Sequence, residues 1–310
     1  MTKIKRFIPL IIIYVILLTV LVVTAVYPAA DYDVSQKLTG LSFSYPVGNF
    51  LEIWIEPVTL VPMCFVIAML SVCLVRTKWK NALPQIMGGG LMLGGAILSY
   101  EVIHRIVKYY CKLEDITKPW TYVEKPLSSD LLWVKVICAA GGVVMMALFV
   151  FISSRIAQDR LVKAQRVLFV SVFVLLAELA IVSGLKYVWG RVRYRYWIGL
   201  GEEERLYFPW YLLRGKPEND NFKSFPSGHT ANSTLILPMT FIFDALGKKN
   251  AGRILRICHI GWMIVVMTSR IMAGAHYLSD VAGGALVSLS IISVTAAVVF
   301  RDGKISKEEK

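Results

Sequence analysis

Apolar residues occur along this chain in long runs that short polar and charged segments separate. Each run approaches the ~20 residues that a helix needs to cross the hydrocarbon core of a bilayer. The eight runs cover roughly residues 7–27, 54–75, 83–104, 131–153, 167–187, 229–246, 255–273 and 277–300. Lipid offers no hydrogen bonds to the backbone, so such runs must be helical. The pattern predicts an all-α fold, a polytopic membrane bundle of about eight transmembrane helices.

Basic residues cluster in every second connection between these runs. The clusters lie before residue 7 and near residues 76–80, 155–166, 248–256 and 301–310. Short loops rich in Lys and Arg mark the cytoplasmic side, so both termini are predicted to be cytoplasmic. The net charge of +13 is therefore attributed mainly to topology and not to nucleic-acid binding. The first run is longer than the apolar core of a signal peptide, which favours a retained span, although Ala29-Ala30 leaves cleavage open.

Two segments on the predicted outer side break this charge pattern. Residues 105–126 and 188–226 carry many Lys and Arg together with Trp and Tyr. Such residues anchor loops at the membrane interface, and they can also attract an anion; both interpretations stay open. Within the spans, Glu178 is a candidate functional carboxylate, but pairing with Lys135 at similar depth is the favoured interpretation. The five cysteines include no CxxC pair and the carboxylates are not clustered, so no metal or cofactor is predicted.

Three segments with reactive side chains lie at span ends that the topology places on the same outer face. Lys186 and Arg193 end the fifth span, and Pro226-Ser227-Gly228-His229 opens the sixth. Ser269, Arg270, His276 and Asp280 join the seventh to the eighth. Charges at a membrane boundary can simply extend towards water. That explanation does not account for two histidines, an aspartate and several cations at one depth.

The spacing of these residues predicts phosphate chemistry. His276 and Asp280 are four residues apart, so on a helix the carboxylate can orient the imidazole and leave one nitrogen free for attack. Free N–H groups at a helix start suit phosphate, with Gly228 allowing close approach and Ser227 adding a donor. Lys186, Arg193 and Arg270 are predicted to neutralise the phosphate oxygens. His229 is the expected general acid, and then the base, of a double displacement.

The three segments closely resemble the signature of the type 2 phosphatidic acid phosphatase (PAP2) superfamily, K-x6-R-P, P-S-G-H and S-R-x5-H-x3-D. Every position matches except one, where Tyr194 follows Arg193 in place of proline. The resemblance implies a six-helix core in residues 81–310, with residues 1–80 as a two-helix membrane extension. It also implies catalysis without metal through a phosphohistidine at His276, and inhibition by vanadate.

Family members hydrolyse phosphatidate, phosphatidylglycerol phosphate, polyprenyl diphosphates and related phosphates. The expected function is hydrolysis of a lipid phosphate monoester or diphosphate at the extracytoplasmic face of a membrane, expected to be a bacterial plasma membrane. The expected partners are a lipid phosphate and the membrane lipids, and the sequence does not indicate an oligomeric state. The alternatives are a lipid phosphotransferase that uses the same site, and a non-catalytic transporter or scaffold.

Overall fold

The computed structural model describes residues 8–78, 81–112, 116–118, 128–200 and 208–299. Within these ranges the chain is all-α, as predicted, without a β-strand. The eleven α-helices in the described ranges are α1 Ile8–Val26, α2 Ala29–Thr39, α3 Ser44–Arg76, α4 Leu83–Lys112, α5 Leu132–Ser154, α6 Gln158–Trp189, α7 Tyr194–Gly199, α8 Gly228–Thr234, α9 Ile236–Ala245, α10 Lys249–Met272 and α11 Leu278–Val299. The basic residues predicted at both chain ends, and residues 113–115, 119–127 and 201–207 of the two outer segments, lie outside the described residues.

Seven of these helices are long and apolar enough to cross a membrane: α1, α3, α4, α5, α6, α10 and α11. They coincide with seven of the eight predicted spans and confirm a polytopic helical bundle. The remaining predicted span, residues 229–246, forms the two short helices α8 and α9, which meet at Leu235. Pro238 explains the break, because it has no N–H for the carbonyl of Thr234 and its ring crowds that carbonyl.

The second predicted span begins earlier than its apolar run. Helix α3 starts at Ser44 and continues through Glu52, Glu56 and Pro57, whereas the run was expected to begin near residue 54. The preceding region, interpreted from sequence as an outer loop, contains α2. Acidic residues lower the mean hydropathy at the start of this helix, so the apolar run begins later than the helix does. The helix is stable there because Glu56 pairs with Arg105 and Glu52 pairs with Arg270.

Helix α3 lies at the centre of the bundle. In its most apolar stretch 72% of the residues are buried, compared with 17% in α1 and 22% in α4 and α5, whose apolar faces are left for lipid. Helix α3 packs against α4, α5, α6 and α10. Its side chains, including Met63, Leu70 and Leu74, supply much of the largest apolar cluster.

The two N-terminal helices α1 and α2 also pack on the rest of the chain. Helix α1 lies against α11, where the Tyr14 hydroxyl is 3.2 Å from Ser293 Oγ, and α2 contacts α10 and α11. These contacts connect residues 1–80 with the segment that contains the predicted site. The division of the chain at residue 80 stays a prediction.

Candidate active site

The loop before α8 lies directly on α11. The backbone N–H of Ser227 donates to the carbonyl of Asp280 over 2.9 Å. A methyl group added at Gly284 would lie 2.4 Å from the Ser227 carbonyl oxygen, and one added at Gly283 would lie 2.6 Å from the Phe225 ring. Only glycine lets the two backbones approach so closely. The second and third sequence segments therefore meet in space.

The Ser227 hydroxyl caps α8. It accepts from the Thr230 N–H at 3.4 Å and from the Thr230 hydroxyl at 3.0 Å, as a helix N-cap residue does. Its own hydrogen is not used by these two bonds. Gly228 is the first residue of α8, and a methyl group added there would lie 3.2 Å from Lys186 Nζ. The ammonium of Lys186 therefore stands beside the N-terminus of α8.

His276 lies in the turn between α10 and α11, not on a helix as the four-residue spacing suggested. Gly274 makes the turn with a positive φ of 62°. Asp280, in the first turn of α11, accepts from the Tyr277 N–H at 2.9 Å, and its Oδ2 is 3.6 Å from His276 Nδ1. His276 and Asp280 are therefore close, as predicted, because the Asp280 side chain points back past the N-terminus of α11 towards the turn.

Two further side chains hold Asp280. Ser224 Oγ donates to Asp280 Oδ2 at 2.5 Å and lies 3.5 Å from His276 Nδ1, so it bridges the two groups. Arg191 Nη1 donates to Asp280 Oδ1 at 2.6 Å, and its Nη2 donates to Asp31 of α2 at 2.8 Å. All these carboxylate and guanidinium groups are buried. The Asp31–Arg191–Asp280 chain fixes the aspartate that faces His276.

The other ring nitrogen of His276 faces the cations. Its Nε2 is 3.5 Å from Arg193 Nη1, and Arg193 Nε donates to the Asp220 carbonyl at 2.9 Å. Burial is the main cause that lowers the pKa of His276 well below its usual range, and the positive charges of Arg193, Lys186 and Arg270 lower this pKa further. The imidazole is therefore neutral near pH 7, with a lone pair on the side of Arg193.

Arg270 is buried at the end of α10, where α3 supplies its counter-charge. Its Nη1 and Nη2 both lie 3.1 Å from Glu52 Oε2, and Nη2 donates to the Gly48 carbonyl at 3.2 Å. The same Glu52 oxygen is 3.6 Å from Arg195 Nη1. Two guanidinium groups therefore share the single negative charge of Glu52.

His229, the second residue of α8, faces two groups from other helices. Its Nε2 is 3.5 Å from the Tyr109 hydroxyl of α4 and 3.8 Å from Glu56 Oε1 of α3. Arg105 donates to both oxygens of Glu56, at 2.8 and 2.9 Å. The environment of His229 is thus made mainly by α3 and α4, outside the three sequence segments.

Sequence reasoning missed the carboxylates Asp31, Glu52 and Glu56. It assigned the first two to a loop, and it gave no role to Glu56, which lay inside the predicted span 54–75. The available signal was Glu52 and Glu56, one helical turn apart beside an apolar run, since an intramembrane carboxylate is a functional candidate by default. The expected Glu178–Lys135 pair is also replaced: the Asn232 amide lies beside Glu178, and once it is turned so that its nitrogen is the donor, that nitrogen is 2.9–3.1 Å from both Glu178 oxygens. Lys135 lines an apolar groove between α4 and α5.

Tyr194, the departure from the expected motif, begins α7. The first residue of a helix is the position where proline is best tolerated, so a structural role for the motif proline fits this place. Tyr194 is buried there and packs edge-to-face on Tyr277, with ring centroids 5.7 Å apart. Among the described residues, no group of three or more His, Cys, Asp or Glu side chains is arranged to hold a metal ion.

Together these features define a polytopic helical membrane protein with one buried and one partly buried histidine, His276 and His229, each near a carboxylate, among several fixed cations. Residues 167–304 match the family model of the PAP2 superfamily, which confirms the predicted family for this part of the chain. The match includes every residue predicted for the site, while Asp31, Glu52, Glu56, Arg105 and Tyr109 lie outside it. No curated protein and no solved structure gives a significant match.

Proposed function

We propose that this chain is a membrane phosphatase that hydrolyses a lipid phosphate monoester or diphosphate through a phosphohistidine at His276. The observation that carries the proposal is the geometry of His276. One ring nitrogen faces Asp280 and Ser224 and the other faces Arg193, in a pocket that also receives Lys186 and the start of α8. This is the arrangement that an in-line attack on phosphorus requires, with an oriented nucleophile and nearby cations.

In the first step His276 Nε2 forms a bond to phosphorus while the bond from phosphorus to the leaving oxygen breaks. The proton on His276 Nδ1 stays directed at Asp280, which stabilises the positive charge that develops on the ring. Lys186, Arg193 and the N–H groups at the start of α8 lie where negative charge develops on the phosphate oxygens. His229 gives a proton to the leaving oxygen.

In the second step water replaces the histidine on phosphorus. His229, now unprotonated, takes a proton from the attacking water, and the P–N bond breaks to return neutral His276 and inorganic phosphate. Each proton that His229 gave is thereby recovered. The buried location of His276 and Asp280 excludes other water from the pocket, which strengthens the electrostatic interactions that act on the phosphate.

The position of the site at helix ends supports a lipid substrate. His229, His276 and Asp280 stand at the ends of helices that cross or enter the apolar bundle, so a headgroup can reach the pocket while its tails stay in the bilayer. The alternation of basic segments supports an extracytoplasmic site in a plasma membrane. Single cysteines introduced at Lys163 and Lys216, in a variant whose five native cysteines are replaced by serine, would test this orientation. A membrane-impermeant thiol reagent should label intact cells only at position 216.

The decisive experiment measures phosphate release by the purified protein in detergent from a panel of lipid phosphates and diphosphates. We expect turnover by the wild type, inhibition by vanadate, and none by His276→Ala, with both proteins equally monodisperse. The matched control is His104→Ala, since His104 of α4 contacts the carbonyl of Ser129, in the turn before α5, and not the pocket. Retained phosphate release by His276→Ala would refute the mechanism. Adding lipid or sugar acceptors would reveal phosphate transfer in place of hydrolysis.

A further inference from the structure

Both histidines of the pocket have a carboxylate at one ring nitrogen, but only the Asp280 pair belongs to the sequence signature. At His229, Nε2 faces Glu56 Oε1 at 3.8 Å and the Tyr109 hydroxyl at 3.5 Å. Because Nε2 faces α3 and α4, Nδ1 is the nitrogen left to serve the leaving group. The ring is therefore oriented from residues that lie outside the family match.

We propose that Glu56 is a positioning residue for His229, holding its ring and favouring the protonated form that acts as the general acid. The inference rests on the proposed function. When His229 carries a positive charge, both nitrogens bear protons, and Nε2–H is directed at the Glu56 carboxylate. Nδ1 then gives its proton to the leaving oxygen as the bond to phosphorus breaks, and later takes one from water. Glu56 stays ionised throughout.

The burial of Glu56 supports this role over a purely structural one. Its side chain is 5% exposed, whereas its partner Arg105 is 41% exposed and also lies 3.6 Å from Glu101. Arg105 therefore has water and a second carboxylate available and does not require a buried partner. An ionised carboxylate inside the bundle is costly, and such groups are typical of functional sites. The separation of 3.8 Å in the free protein shortens when substrate makes His229 positive, because catalytic contacts often tighten on binding.

The surroundings of His229 disfavour its protonated form, and Glu56 is placed to offset this effect. Burial is the main cause that lowers the pKa of His229, to about 3, and the positive charge of Arg270 on α10 lowers this pKa further. Glu56 and Glu52, both on α3, oppose this effect. Of the two, Glu52 is paired with Arg270 and Arg195, so Glu56 is the carboxylate placed to interact with the ring nitrogen.

The test compares substrates that differ in their need for a general acid. An alkyl phosphate has a poor leaving group that must be protonated, whereas the leaving group of p-nitrophenyl phosphate departs with little help. The quantity to measure is kcat/KM, since it reports the steps up to loss of the leaving group. The variants are Glu56→Gln and the matched control Glu101→Gln, which removes the exposed partner of the same Arg105.

For Glu56→Gln we expect about a 10- to 100-fold loss of kcat/KM on the alkyl phosphate, part of the 10²–10⁴ that general acid catalysis supplies. On p-nitrophenyl phosphate the loss should stay within about threefold by the same reasoning. Glu101→Gln should match the wild type on both substrates. In a His229→Ala background, Glu56→Gln should have no further effect, because the group it positions is gone.

Equal losses on the two substrates, or no loss on either, would overturn the role of Glu56 while leaving the phosphatase proposal intact. If the wild type releases no phosphate from any substrate, the proposed function fails and this inference fails with it. Should Glu56→Gln not fold because Arg105 loses its partner, the double variant Glu56→Gln with Arg105→Gln removes both charges. The same comparison of alkyl and aryl substrates then decides.

Discussion

The pocket is built from two regions of the chain with opposite chemistry. Residues 186–280 supply its histidines and most of its cations, all inside the segment that matches the PAP2 superfamily. Helices α2 and α3 supply the carboxylates Asp31, Glu52 and Glu56 from outside that segment. Asp31 and Glu52 pair with those cations, and Glu56 faces His229. A family signature can thus identify reacting groups without identifying the charges that let them be buried together.

Electrostatics explains why both regions are needed. Bringing several guanidinium groups into an apolar bundle is strongly unfavourable unless each one is paired and hydrogen-bonded. Arg191 has Asp31 and Asp280, and Arg270 has Glu52, at separations of 2.6–3.1 Å. The N-terminal helices are therefore expected to determine whether the cationic region can fold, as well as how it binds phosphate.

The largest effect is expected where one cation joins both regions. Arg191→Leu leaves Asp31 and Asp280 buried without their shared partner, which should cost about 3–5 kcal/mol of stability and remove turnover. Thermal unfolding in detergent and phosphate release measure the two effects. Asp31→Asn keeps the Arg191–Asp280 pair and should cost less. Unfolding of Arg191→Leu at the wild-type temperature would show that the two regions are not coupled through this residue.

The contact between α11 and the α8 loop gives the next effect. Gly284→Ala forces a methyl group towards the Ser227 carbonyl oxygen and should destabilise the protein by about 1–3 kcal/mol while displacing the start of α8. Both the unfolding temperature and turnover should fall. The matched control is Gly94→Ala on α4, where an added methyl group meets nothing within 4 Å. Equal behaviour of the two variants would contradict the close packing.

The third effect is expected when α3 loses one of the carboxylates that pair with the cations of the pocket. Glu52→Gln leaves Arg270 and Arg195 with excess positive charge, so inorganic phosphate should inhibit more strongly, by about tenfold if the gain is 1.4 kcal/mol. Stability should fall at the same time. The inhibition constant of phosphate, compared with that of Glu101→Gln, measures the effect. Weaker inhibition by phosphate would mean that Glu52 helps to form the anion site and does not compete with it.

The smallest effect concerns pH. His276 must be neutral to attack, so activity is present above its lowered pKa and is lost as the pH falls through that value. Arg193 and Lys186 on the α6 side, Arg270 on α10, and the opposing Asp280 and Glu52 all face this ring. Arg193→Gln removes one positive charge, which raises the pKa of His276 towards its usual range.

The acidic limb of the Arg193→Gln pH profile should therefore move to higher pH, by about half a unit or 0.7 kcal/mol. Each profile is normalised to its own maximum, because the same change also weakens phosphate binding. Arg253→Gln, an exposed residue near the start of α10, is the control and should leave the profile unchanged. A shift to lower pH would contradict the assignment of His276 as the group that must lose its proton.

The sequence predicted the class of fold and the segments that meet in the pocket, because long apolar runs and a spaced signature are local patterns. It did not predict the pairing of Arg191 with Asp31, or of Arg270 with Glu52, since those partners lie 160 and 218 residues apart and follow no local spacing. The break between α8 and α9 was readable from Pro238. The sequence did not predict the early start of α3, because acidic residues are typical of loops and their buried cationic partners cannot be recognised from local sequence.

The ion pairs that reach from α2 and α3 into the pocket bear on how this chain could be dissected. A fragment trimmed to begin near residue 80 would keep the whole signature, yet Arg191, Arg195 and Arg270 would repel one another with two acidic partners deleted. Such a fragment is not expected to fold on its own. Helices α2 and α3 therefore serve as a built-in counter-charge, without which the segment that carries the signature is not expected to keep a stable fold.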